Sequence, residues 1–178
     1  MAKITTKMGD GGKTRLADGT QVSKSHPFVE AIGEIDELSA CLGLVIARPL
    51  NGKFKEWLRQ IQRDLHIVGG DLATPPPREQ VRITPESVRR LERMLDEAEQ
   101  ELPALDSFIL PGGDETAALL HVARAVSRRA ERAVVGASGE GHVNPEILVY
   151  LNRLSDFLFQ LARRINANRG QPEERVHS

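Results

Sequence analysis

Between positions 144 and 170 the apolar residues Leu148, Leu151, Leu154, Leu158, Leu161 and Ile165 recur every three or four places. That spacing puts them on one stripe of an α-helix. Asn144-Pro145-Glu146 supplies a helix start, and Gly170 stands just past the expected end. Four other segments read the same way. One opens near Ser25, with Pro27 in its first turn, and closes before Pro49; Phe28, Ile32, Ile35, Leu38, Leu42 and Ile46 form its stripe. A second runs from about 53 to 72 on Phe54, Trp57, Ile61, Leu65 and Val68. A third follows Thr84-Pro85-Glu86, a cap and then a proline at the first helical position, and carries Val88, Leu91, Leu95 and Ala98. A fourth spans about 114 to 137. Loops are expected at 73–83 and 103–113. No β alternation of useful length competes with this pattern. The expected fold is all-α: a five-helix antiparallel bundle.

The 178 residues fit one domain able to bury roughly 70% of its unfolded surface. A net charge of −1 argues against nucleic acid or a membrane surface as partner, since both need a basic excess. Cys41 is the only cysteine, which rules out an intrachain disulfide and a Cys-rich zinc site. No run of 18 apolar residues occurs, and the first residues lack an apolar signal core, so a cytoplasmic protein is expected. Residues 1–178 then divide into an N-terminal segment (1–24), the bundle (25–170) and a polar, flexible tail (171–178).

Two features point to chemistry. Lys7-Met8-Gly9-Asp10-Gly11-Gly12-Lys13-Thr14-Arg15 has the makings of a phosphate cradle. Its glycines let backbone N–H groups approach an anion, and its cations supply charge. Residue 7 is lysine where a Walker A loop needs its first glycine, so it is not that motif. A glycine-rich terminus without a role is the competing reading. The fourth helix carries His121, Arg124, Arg128 and Glu131 in one stripe with Arg132 at its margin, opposite Leu119, Val122, Val126, Ala130 and Ala133. Such a stripe is ordinarily a solvated face. However, Arg124 and Arg128 repel at i, i+4, and Arg129 and Arg132 add to the charge. An anion or a carboxylate from elsewhere would relieve it. Asp36 offers a carboxylate. It lies on a stripe with Gly33, Ala40, Gly43 and Ala47, small enough for ordinary tight packing or for a large flat ligand. The rest of the first helix is so apolar that a subunit interface is expected there.

Five stretches in order carry a family resemblance: Thr6 to Gly12 with Thr14; Glu30 to Leu38; Phe108 to Gly113; Arg124 to Arg132; and Tyr150 to Asp156. Together they resemble the propanediol-utilisation (PduO) type of ATP:cob(I)alamin adenosyltransferase. The resemblance implies a homotrimer with an active site at each subunit interface. It implies transfer of the 5′-deoxyadenosyl group of ATP to the cobalt of reduced cobalamin, with release of triphosphate. It implies that Thr6, Lys7, Met8, Gly9, Thr14, Arg15 and Lys24 bind ATP from one side, and Arg128, Glu131, Arg132 and Asn152 from the neighbouring subunit. Asp36 and Arg124 would pair across that interface beside the cobalamin. Phe108 would lie beneath the corrin ring. Mg²⁺ is expected with the ATP phosphates rather than on protein ligands. A corrinoid reductase and an adenosylcobalamin-dependent enzyme would be partners. On residues alone, Phe108 reads as an anchor pinning its loop, and Glu131 as an i, i+3 partner of Arg128. His26-Pro27-Phe28 fits no pattern. A non-catalytic nucleotide sensor or corrinoid carrier, and a purely structural bundle, are the rival readings. A metal-carboxylate bundle is disfavoured because no Glu-x-x-His motif occurs.

Overall fold

A computed structural model describes residues 7, 9–74 and 81–176. Five helices form: α1 (Pro27–Ile46), α2 (Gly52–Ala73), α3 (Pro85–Glu99), α4 (Glu115–Ala137) and α5 (Pro145–Asn168). Each starts on a side chain that satisfies an otherwise unpaired N–H group. Asn51, Asp114 and Asn144 accept from the residue two places on, and Thr84 accepts from Ser87. His26 belongs to this set. Its Nδ1 accepts from Phe28 N at 3.3 Å, Pro27 sits in the first turn, and the two rings stack at 5.8 Å. The unassigned triplet is therefore a helix start. Gly170, at φ +65°, follows the end of α5 in the left-handed conformation that closes helices.

The helices pack in the spatial order α2, α1, α4, α5, α3. Successive helices alternate in direction. Arg48, just past α1, pairs with Glu115 at the start of α4, and Arg169, just past α5, reaches Asp114. Side-chain bridges from Lys53 to Glu97 and from Arg90 to Asp64 bring α3 back against α2. Five alternating helices closed this way must leave one neighbouring pair parallel. That pair is α3 and α5, joined by Arg153–Glu92 and Gln160–Glu99.

The core runs the length of the bundle through Leu38, Leu42, Leu58, Leu65, Leu91, Leu120, Leu151, Leu154 and Phe157. One polar node, centred on the buried Asp64, reaches from this core to the surface at Arg90. Asp64 accepts two bonds from Arg90 Nη2 (2.8 and 2.9 Å) and one from the Tyr150 hydroxyl (2.9 Å). Burial and the neighbouring carboxylate push the Tyr150 phenol well above its ordinary value.

Two features depart from the helical expectation. Residues 13–23 form a small antiparallel hairpin, β1 (Lys13–Arg15) with β2 (Gln21–Ser23), turned at Asp18, whose carboxylate accepts from Thr20 N and Oγ1. Three-residue strands are too short to leave a periodic signal. The tail expected to be flexible is pinned over 171–176: Leu110 N donates to Glu174 O and Val176 N to Phe108 O, both at 2.8 Å.

Candidate functional site

α3, α4 and α5 build the candidate site. Arg124 and Arg128 line a cleft of about 340 Å³ with Leu95, Glu99, Ser155, Asp156, Phe159 and Gln160. Arg124 is half-buried, and its Nε is sealed from solvent without an acceptor among the described residues. Arg128 and Arg132 are exposed and have no hydrogen bond or ion pair among those residues. Arg129, next in sequence, differs. It spans to Glu34 (2.6 Å) and Glu37 on α1, and those carboxylates raise its pKa. The structure thus separates one arginine that ties α4 to α1 from three that make no ion pair among the described residues.

The stripe is not laid out as the helical wheel predicts. His121 is buried, edge-on to Phe159 at 6.0 Å, with Nδ1 unpartnered among the described residues. Burial first, and Arg124 second, hold its pKa below 6.5, so it is neutral at pH 7. Val122, expected on the covered side, is 53% exposed. α1 and α5 flank α4 and leave a different arc open than a single covered side would. Glu131 makes no ion pair with Arg128; it accepts from Asn152 Nδ2 at 3.3 Å.

Asp36 is exposed on α1, in line with the exposed Gly33, Ala40 and Ala47, and it has no partner among the described residues. Leu44, which belongs to neither stripe of the first helix, is 58% exposed beside them. The Arg48–Glu115 and Arg129–Glu34 bridges set the register of α1 against α4, and that register places Leu44 level with Leu119, about one turn from the exposed Val122. α1 thus exposes Leu44 beside an unpaired carboxylate, and α4 exposes Val122.

In the N-terminal segment, Lys24 folds back over Gly9. A Cβ at Gly9 would stand 3.1 Å from Lys24 Nζ, so glycine keeps this approach open. Lys7 adopts φ +59° and Gly12 φ +75°. Thr14 pairs with Val22 in the hairpin, and Arg15 donates to Gly19 O at 3.2 Å. Ala17 N, bonded to Ala73 O at 3.0 Å, fixes the hairpin to the end of α2. Thr6 and Met8 lie outside the described residues. Among the described residues no hydrogen bond or ion pair joins this segment to Arg124, Arg128 or Arg132.

Phe108 is 87% exposed, so it is not the anchor of its loop. The loop is held instead by backbone and buried polar groups. Asn166 accepts from Asp114 N at 2.9 Å and donates to Gly112 O at 3.0 Å. Arg163, 2% exposed, donates to Pro103 O at 2.8 Å and to Glu173 at 2.6 Å. Both carboxylate oxygens of Asp106 accept from Arg175 Nη1, at 2.8 and 2.7 Å. Among the described residues no group of three or more His, Cys, Asp or Glu side chains is gathered to hold a metal ion. No helix there is long and apolar enough to cross a membrane.

The chain matches the family model for cobalamin adenosyltransferase over residues 4–165. It belongs to the cobalamin adenosyltransferase family. Within that family it is 44% identical over 173 residues to a corrinoid adenosyltransferase of Bacillus subtilis (strain 168), covering 94% of this chain and 89% of that protein. It is equally 44% identical to the corrinoid adenosyltransferase PduO of Citrobacter freundii, but spans only 49% of that protein's length. Its fold superposes with a TM-score of 0.94 on a variant PduO-type ATP:corrinoid adenosyltransferase from Lactobacillus reuteri complexed with cobalamin and ATP, at 36% identity, covering 99% of this chain and 100% of that one. The five-helix bundle is thus a cobalamin adenosyltransferase fold.

Proposed function

We propose that the chain is a corrinoid adenosyltransferase that transfers the 5′-deoxyadenosyl group of ATP to the cobalt of cob(I)alamin. The observation that carries this reading is the cleft where Arg124 and Arg128 make no direct ion pair among the described residues, although Glu99 and Asp156 share its lining, and where Arg124 holds a buried, unpartnered Nε. A sealed N–H donor without an acceptor is costly, and a polyphosphate or a carboxylate would relieve it.

In the reaction, the cobalt(I) electron pair attacks C5′ of ATP, the C5′–O bond breaks, and triphosphate leaves with the bonding pair. Cobalt is the nucleophile, so the protein's share is positioning and charge stabilisation. Arg128 and Arg132, with Lys7 and Lys24 from the N-terminal segment, are suited to the charge that grows on the leaving triphosphate. Thr6, Met8, Gly9, Thr14 and Arg15 complete the cradle, and Glu131 and Asn152 face the nucleoside. Mg²⁺ would be held by the phosphate oxygens. Phe108 projects from its clasped loop and would shield the lower face of the corrin, keeping water and nitrogen donors off the cobalt.

The N-terminal segment is bonded to the end of α2 while the arginines stand on α4, and we read each site as shared by neighbouring subunits of a homotrimer. Asp36 would cross to the neighbour's Arg124 while the exposed Leu44 and Val122 would be covered in the interface. Cobalt(I) is strongly reducing, which fits a cytoplasmic enzyme supplied by a corrinoid reductase and followed by an adenosylcobalamin-dependent enzyme.

The test is direct. Protein, ATP and chemically reduced cobalamin should yield a light-sensitive cobalt–carbon product and triphosphate, whereas a nucleotide sensor or corrinoid carrier would yield neither. Phe108→Ala should lower turnover far more than ATP affinity. An unchanged rate with cobalt(II) plus reductant would remove it from the corrin site.

A further inference from the structure

Asn152 sits between two charged neighbours whose chemistry fixes which way its amide points. On one side Arg153 Nη1 donates to Asn152 Oδ1 at 3.0 Å. On the other, Asn152 Nδ2 donates to Glu131 Oε1 at 3.3 Å. A guanidinium has no acceptor and an ionised carboxylate has no donor. Only one amide orientation satisfies both, so the assignment follows from the neighbours and not from fitting oxygen against nitrogen. Arg153 is itself aimed from a third helix: its Nε donates to Glu92 Oε1 on α3 at 3.1 Å. Glu92, Arg153, Asn152 and Glu131 thus form one chain of hydrogen bonds across α3, α5 and α4, all partly exposed side chains at the bundle surface.

We infer that Arg153, anchored by Glu92, is a positioning residue that locks the Asn152 amide so that its NH₂ group and not its oxygen is presented to the nucleotide. This rests on the assignment of Asn152 to the ATP site. It adds a polarity: Asn152 serves the ligand as a hydrogen-bond donor, and the matching atom on the nucleotide is an acceptor. It also gives α3, which lends no side chain to the proposed ATP contacts, a role in the site. Arg153 needs its planar fork for this, because Nε and Nη1 face different partners at once.

The experiment is a double-mutant cycle on the full chain, with ATP affinity measured by calorimetric titration and folding followed by melting temperature. Asn152→Ala should weaken ATP binding, and Arg153→Leu should weaken it by about five- to tenfold, the worth of one net hydrogen bond. Introduced into Asn152→Ala, Arg153→Leu should cost nothing further. Glu92→Gln keeps an acceptor for Arg153 Nε and should bind ATP as the wild type does, whereas Glu92→Ala should shift affinity part of the way. Equal losses from Arg153→Leu with and without Asn152 would overturn the inference, since a merely structural arginine would act in both backgrounds. If Asn152→Ala leaves ATP affinity untouched, the nucleotide assignment of Asn152 is wrong and the relay falls with it. Wild-type affinity for Arg153→Leu alone would sink the relay and leave that assignment standing.

Discussion

Arg128 and Arg129 are neighbours in sequence with opposite fates. One is committed to Glu34 and Glu37; the other stands free at a cleft. Removing the free one should leave the fold intact and weaken ATP binding by about 1.5–3 kcal/mol, the scale of a charge-assisted hydrogen bond. Calorimetric titration of Arg128→Ala checks this, and wild-type affinity would take Arg128 out of the site. His121 gives a second prediction. Its folded pKa lies below 6.5, so the unfolded chain binds more protons than the folded one as pH drops past that value. Stability should be fully present above pH 6.5 and decline below it. His121→Phe should flatten that decline in urea titrations taken across the range, and an unchanged slope would refute the assignment. The residue scale was partly legible. Arg124, Arg128 and Asp36 announce themselves as charges that their own helices leave unmatched. Arg153 does not, because its meaning depends on Glu92, far away in sequence and on another helix.

The helices themselves were readable almost to the residue, because caps are local. Thr84, Asp114 and Asn144 each satisfy an N–H group within three residues, so the start is written beside the helix it starts. The hairpin and the tail were not readable, for opposite reasons. β1 and β2 are too short for periodicity, and the tail owes its order to partners distant in the chain. Glu173 is the clearest case. It neutralises the buried Arg163, which also carries the backbone of Pro103. Glu173→Ala should therefore leave a buried cation uncompensated and cost about 3 kcal/mol of unfolding free energy. Chemical denaturation tests it, and a loss below about 0.5 kcal/mol would place the pair among ordinary surface bridges. Deleting 171–178 frees the Phe108 backbone from Val176. It should depress corrinoid turnover while sparing ATP affinity, and a proportional loss of both would contradict that division of labour.

At the scale of the molecule, one protomer exposes Leu44 on α1 and Val122 on α4, and the proposed ATP contacts are divided between the N-terminal segment and α4. In the proposed trimer a partner copy would cover the first and complete the second. Leu44→Asp should break the assembly and, with it, catalysis; sedimentation as a monomer with full activity would sever the two. Asp36→Ala should loosen the trimer or its corrinoid pocket, and untouched sedimentation and corrinoid binding would exclude both roles. The most direct measurement mixes subunits. Lys7→Ala/Lys24→Ala and Arg128→Ala proteins are each assayed alone and then dissociated and reassembled together at equal ratio. If every site draws its N-terminal segment and its α4 arginines from different protomers, random reassembly restores an intact pair at about a quarter of the sites. Activity should then rise to about that fraction of wild type from two nearly silent parents. If the mixture stays as silent as its components, both halves of the site belong to one chain and no nucleotide is shared between subunits.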